Sequence, residues 1–203
     1  MNTGRHILLL GPERGSVGQS LSANGDRVTR SEEDLRKFPE LLNGVDWIVS
    51  YGYRHIIRPE VIAKYPKRIV NLHISLLPWN RGADPNIWSY LEDTPKGVSI
   101  HLIDAGIDTG PLLCQQEVRM SDSDTLKSSY DKLTTAIELL FADRWTSIRD
   151  SEISPTAQIG AGSYHKSKDL DPYRHMLVNG WDTPVTGLIR KAQQSAGREI
   201  HAL

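Results

Sequence analysis

Short apolar runs, each closed by turn residues and separated by stretches that read as helix, constrain the fold of this chain most strongly. His6-Ile7-Leu8-Leu9-Leu10 runs into Gly11-Pro12 and reads as a buried strand ended by a tight turn. Residues 16–21 fit a short helix, 27–29 a second strand, and 46–50 a third strand closed by Gly52. Pro59 opens a helix over 59–63, where its missing N–H costs nothing, and 68–73 reads as the next strand. Strand, helix, strand, helix at this spacing predicts an α/β fold: a Rossmann-like, mostly parallel sheet with helices on both faces.

Downstream, Pro78, Gly82 and Pro85 punctuate a loop over 76–85, and 86–92 reads as helix. Gly97-Val98-Ser99-Ile100-His101-Leu102 alternates with period two, which predicts a strand with one polar face. A glycine-rich loop over 104–111 leads to a strand over 112–118. The clearest helix follows, with Asp122 or Ser123 as its cap and Leu126, Tyr130, Leu133, Ile137 and Leu140 as its core stripe. Gly160, Gly162 and Ser163 suggest a surface loop, and Trp181-Asp182-Thr183-Pro184 leads into a last helix through Leu188 and Ile189. The expected organisation is one catalytic domain over 1–150, with 151–203 as a short C-terminal extension of loop and helix rather than an independent domain.

Lys and Arg number 24 against 25 Asp and Glu, a net charge of −1, so no global field recruits polyanions and nucleic acid is disfavoured as a partner. One cysteine, Cys114, rules out an intrachain disulfide and any multi-cysteine zinc or iron–sulfur site. No run approaches the roughly 18 apolar residues of a membrane span. These readings predict a cytoplasmic protein that spans no membrane.

Asn71 and His73, two positions apart at the end of a predicted strand, project to one face, and Asp108 lies in the glycine-bracketed loop. Ligands of open α/β sheets bind outside the carboxyl ends of the strands, where these residues would lie. An amide, an imidazole and a carboxylate suit acyl transfer to an amine. Asn71 could donate to a developing oxyanion, His73 could do so as an imidazolium paired with Asp108, and Asp108 could take the proton the amine loses. The same residues also fit ordinary strand-end hydrogen bonding and a turn aspartate.

The stretch Asn71-Leu72-His73-Ile74-Ser75-Leu76-Leu77-Pro78-Trp79-Asn80-Arg81-Gly82-Ala83-Asp84-Pro85 resembles the signature of folate-dependent formyltransferases, as does Ile103-Asp104-Ala105-Gly106-Ile107-Asp108-Thr109-Gly110. The resemblance is continuous over about 46–118. It implies the formyltransferase fold, Asn71, His73 and Asp108 as the catalytic trio, and 10-formyltetrahydrofolate as cosubstrate, with no metal. It also implies a pterin-binding role for Tyr53, Arg54, His55, Ile56 and Ile57 and for backbone around Asp104 and Gly106. Trp79, Arg81 and Tyr164 are candidates for substrate binding. The turn from Gly11 to Ser16 lacks the glycine spacing of a dinucleotide site and carries Glu13, and reads as structural. His101, sharing a strand face with Ser99, also reads as structural.

The expected acceptor is a small primary amine. Transfer RNA is disfavoured by the neutral charge and by the little chain after Asp150 for a basic barrel. Glycinamide ribonucleotide is disfavoured by Val17 and by the Trp79-Asn80-Arg81-Gly82 loop. A nucleotide-linked amino sugar is preferred to a carrier-bound aminoacyl group, because the tail from Tyr173 to Pro184 is similar to small sugar formyltransferases. Those relatives also suggest a homodimer. A folate-binding module without activity is the non-enzyme alternative, and the retained trio argues against it.

Overall fold

The computed structural model describes residues 4–189. β1 (His6–Leu10), β2 (Arg27–Ser31), β3 (Trp47–Ser50) and β4 (Ile69–His73) are joined by parallel pairings. In the chain, α1 (Gly15–Ala23) comes between β1 and β2, and α2 (Pro59–Lys64) between β3 and β4. β5 (Arg81–Gly82), α3 (Pro85–Leu91), β6 (Gly97–Leu102), β7 (Leu112–Glu117), α4 (Leu126–Arg149) and β8 (Tyr164–His165) follow. The main sheet has the order β2-β1-β3-β4-β6-β7, and β6 runs antiparallel to β4. It is a mixed six-stranded sheet flanked by helices. Its strand order reverses between β1 and β3, the kind of point where α/β sheets bind ligands.

The chain forms two compact units. Among the described residues, one takes 4–73, Ser99–Gln115 and Ile137–Gln158; the other takes Ile74–Val98, Gln116–Ala136 and 159–189. In the first, apolar strand residues Leu8, Leu10, Ile48 and Ile69 pack with Leu35, Leu42, Val45, Ile57 and Tyr65. Near-continuous burial of β1 and β3 is what parallel strands covered on both faces require. A second anchor is ionic. Asp26 is buried, accepts from Trp145 Nε1 at 2.6 Å, from Arg149 Nη1 at 3.0 Å and from the Arg5 amide at 2.9 Å. Trp145 in turn meets Trp47 edge-on at 5.7 Å between ring centres.

In the second unit, Ile87, Trp88 and Tyr90 of α3 pack with Leu126, Leu170, Met176, Val185 and Leu188. Buried Asn86 links two elements there, donating to the Leu126 carbonyl at 2.9 Å and accepting from Ser129 Oγ at 3.0 Å. β5 pairs in parallel with β8. Residues 185–189 are helical, as expected from Leu188 and Ile189.

Three expectations are corrected. The α4 cap is Thr125, not Asp122 or Ser123: its Oγ1 accepts from the Ser128 amide at 3.2 Å while Ser128 Oγ accepts from the Thr125 amide at 3.0 Å. Asp124 reinforces that start by accepting from Ser128 Oγ and Lys132 Nζ. The α4 core stripe continues through Phe141, Trp145 and Ile148, whereas Tyr130 and Leu140 are half-buried at its margins. β6 keeps the one polar face that its alternation predicts, with Ser99 and His101 on it, and it lies between β4 and β7, buried throughout. The 76–85 and 160–166 loops contain the paired strands β5 and β8, too short to leave a period in the sequence. Among the described residues no helix is long and apolar enough to cross a membrane.

The ionic contacts make stability testable at two places. Asp26→Ala removes a buried carboxylate that faces the buried Arg149 guanidinium at 3.0 Å, and should cost about 3 kcal/mol in urea unfolding. Burial raises the pKa of Asp124, but hydrogen bonds from Lys132, the Ser121 amide and Ser128 outweigh it and hold the carboxyl below its ordinary range. With the folded value depressed, its stabilisation is complete above the ordinary carboxylate range and is lost as pH falls through the folded value. Asp124→Asn should therefore flatten the acid limb of the stability profile measured by urea unfolding across pH.

Candidate active site

β4 and β6 bring the chemistry together through their register. Asn71 stands directly opposite His101, and His73 opposite Ser99. Period-two alternation then sends Asn71, His73, Ser99 and His101 to one face. Asp108 returns to that face from the loop between β6 and β7. Its Oδ1 accepts from Asn71 Nδ2 at 3.1 Å and lies 3.4 Å from His101 Nε2, while its Oδ2 lies 3.6 Å from His73 Nδ1. Asn71 Nδ2 is also 3.2 Å from His101 Nε2. His73 is 7% exposed and His101 1% exposed, so polar groups interact here where water screens them poorly.

The hydrogen bonds fix the chemical roles. His101 Nδ1 is 2.8 Å from the Leu102 carbonyl, an acceptor only, so that nitrogen carries the proton. Asn71 Nδ2 donates to Asp108 Oδ1, and His101 Nε2 lies 3.2 Å from Asn71 Nδ2 and 3.4 Å from the same carboxylate oxygen. The sequence pattern brings Asn71, His73 and Asp108 together as expected, and it missed His101 as a fourth member. The signal was present in the alternation of 97–102, but only the β4 register turns that polar face toward Asn71.

The loop that carries Asp108 is shaped by close approach. A Cβ on Gly110 would fall 1.8 Å from the Leu102 carbonyl oxygen, and one on Gly106 would fall 2.0 Å from Thr109 Oγ1. Asp108 itself has φ of +52°, a left-handed conformation that Asp tolerates better than most residues. Asp104 Oδ1 accepts from the Gly106 amide at 3.0 Å and from Thr109 Oγ1 at 2.7 Å. Asp104 and Gly106 thus shape the loop.

Of the segment expected to meet a pterin, Arg54, His55 and Ile56 are exposed, Ile56 at 71%. Ile57 is turned into the core formed with Ile48 and Ile69 of the sheet. Tyr53 packs against that core, donates to the Glu33 carbonyl at 2.6 Å and accepts from the Leu35 amide, and burial pushes its phenol above the ordinary value. Trp79 and Tyr164 are exposed at 38% and 46%, and Arg81 is half-buried and paired in register with Tyr164.

The turn after β1 is filled by a carboxylate. Ser16 Oγ donates to Glu138 at 2.5 Å, Tyr51 donates to the same group at 3.2 Å, and Arg14 lies over the Tyr51 ring. A groove of about 420 Å³ alongside it, lined by Arg14, Gln19, Ser22 and Arg30 over Leu9 and Val28, contains none of the four clustered residues.

The chain is similar to known formyltransferases. A family model described as formyl transferase matches residues 19–143. A methionyl-tRNA formyltransferase of Thermodesulfovibrio yellowstonii is 36% identical over 137 residues, 66% of this chain and 44% of its own. A dTDP-4-amino-4,6-dideoxyglucose formyltransferase of Mycobacterium bovis is 30% identical over 112 residues, 55% of this chain and 48% of its own. The chain thus spans less than half the length of these curated relatives. The crystal structure of the formyltransferase PseJ from Anoxybacillus kamchatkensis, in complex with UDP-4,6-dideoxy-4-formamido-L-AltNAc and tetrahydrofolate, is 51% identical with a TM-score of 0.89. That likeness covers 92% of this chain and 99% of PseJ.

The tautomer assigned to His101 is open to direct measurement. Ring ¹⁵N spectra of the histidine-labelled protein in mildly alkaline buffer should show His101 protonated on Nδ1; protonation on Nε2 would break the assigned hydrogen-bond pattern.

Proposed function

The chain belongs to the formyl transferase family, and on that premise we propose that it moves a formyl group from 10-formyltetrahydrofolate to the amine of a nucleotide-linked amino sugar. The observation that carries this reading is the cluster of Asn71, His73 and Asp108 in a chain that matches a sugar-nucleotide formyltransferase over nearly its whole length. The proposed acceptor is a UDP-linked 4-amino-4,6-dideoxy sugar, the amine counterpart of the formamido sugar bound to PseJ.

Folate, when bound, supplies the formyl group. The donor set suits it: backbone of the 104–108 loop and the exposed Ile56 and Ile107 offer hydrogen bonds and apolar surface to a flat heterocycle. Arg54 and His55 are proposed to flank it, with Tyr53 and Ile57 supporting the wall from behind. His73 and Asn71 donate to the charge that develops on the formyl oxygen. Asn71 Nδ2, which donates to Asp108 Oδ1 and lies 3.2 Å from His101 Nε2, turns an N–H outward as that charge appears. Asp108 accepts the proton the amine loses as the new carbon–nitrogen bond forms, the folate nitrogen takes up a proton as its bond to the formyl carbon breaks, and Asp108 holds His73 oriented. Trp79, Arg81 and Tyr164 are proposed to take the nucleotide, through ring stacking and a guanidinium for the diphosphate.

Asn71→Ala and His73→Ala should each lower turnover by about 10²–10³-fold, measured as tetrahydrofolate release with the UDP-linked amino sugar. Near wild-type turnover in either variant would remove that residue from the chemistry.

A further inference from the structure

Gln158 lies in a segment that carries no periodicity and no turn motif of its own. Its neighbours from Ser154 to Ala157, and Ile159 and Gly160 after it, are all exposed; Gln158 alone among them is half-buried. Its Nε2 donates to the Asp108 carbonyl at 2.8 Å and to the Gly110 carbonyl at 2.9 Å. One amide group thus pins the two carbonyls on either side of Thr109.

The segment is fixed in turn. Thr156 and Leu112 exchange both backbone hydrogen bonds, at 2.7 and 2.9 Å, so residue 158 is held beside the start of β7. β7 begins immediately after Gly110-Pro111, and the Leu102 amide closes the base of the loop by donating to the Pro111 carbonyl at 2.9 Å. The loop carrying Asp108 is therefore clasped at its base by backbone and at its tip by Gln158.

That tip is where the backbone is least at ease. Asp108 has φ of +52°, a conformation that persists in a side-chain-bearing residue when its surroundings hold it. Holding the Asp108 carbonyl fixes the peptide plane that follows, and so limits how far the Cα–Cβ direction can swing. The carboxylate's distances to Asn71, His101 and His73, from 3.1 to 3.6 Å, depend on that direction. The geometry points to Gln158 as a positioning residue that keeps the Asp108 carboxylate aimed at Asn71 and His73. This inference rests on the formyl-transfer reading of the same site. Gln158 touches no reacting atom in it.

The test compares wild type with Gln158→Met, which keeps length and loses both donors, and Gln158→Lys, which restores a donor. Misaiming the carboxylate should lower kcat of the Met variant by up to about 10²-fold while leaving KM for folate and amino sugar unchanged. Losing the clasp should also speed hydrogen exchange of the 104–110 amides by about tenfold. The Lys variant should recover most of both. Gln158→Glu, whose carboxylate cannot donate, should show the same loss and serves if the Met variant does not fold. Wild-type kcat in the donor-less variants, or a loss accounted for by a smaller folded fraction, would overturn the assignment. Wild-type protein that transfers no formyl group defeats the proposed function instead, and the exchange comparison still judges the clasp.

Discussion

The antiparallel pairing of β6 with β4 is the constraint on which the site depends. It places the Asn71 amide against the His101 imidazole across two strands, and lets the loop after β6 return Asp108 to both. A one-residue slip would send Asn71 and His101 to opposite faces and leave the Asp108 carboxylate without its Asn71 donor in a poorly hydrated setting. Strand register and the polar cluster therefore specify each other. Within the cluster the roles divide cleanly: His101 holds its proton on the backbone side, Asn71 bridges it to Asp108, and Asp108 faces His73.

Much of this was legible in the chain. The apolar strands and the crossover helices appear at nearly the expected positions, because buried parallel strands leave continuous apolar runs and Pro59 marks a helix start. Asn71, His73 and Asp108 were legible too, through strand periodicity and glycine punctuation and, with far greater specificity, through the formyltransferase resemblance. What escaped were features that depend on partners distant in sequence or on side-chain geometry. His101 reads as a polar strand residue until Asn71 faces it. Thr125 caps α4 although two acidic or hydroxyl alternatives precede it, since the cap is chosen by the reciprocal bonds with Ser128. The β5–β8 ladder spans two residues a side, too few for any period.

Two kinds of loop residue behave differently in this protein. Ile57, Tyr53 and Asp104 direct their side chains at the protein itself, shaping the wall and loop that the resemblance assigns to folate. Ile56, Trp79 and Tyr164 leave large apolar surfaces in solvent. Exposed aromatic and aliphatic side chains of that size are the ones available to a ligand.

The cluster of Asn71, His73 and Asp108 is proposed to transfer a formyl group to an amino-sugar nucleotide. Incubating the protein with 10-formyltetrahydrofolate labelled in the formyl carbon and a UDP-linked 4-amino-4,6-dideoxy sugar tests it most directly. Label should move to the sugar as a formamide, seen by mass spectrometry of the nucleotide product and absent when Asp108 is replaced by Ala. Label that stays on folate with this sugar, or that moves equally well without Asp108, would contradict it.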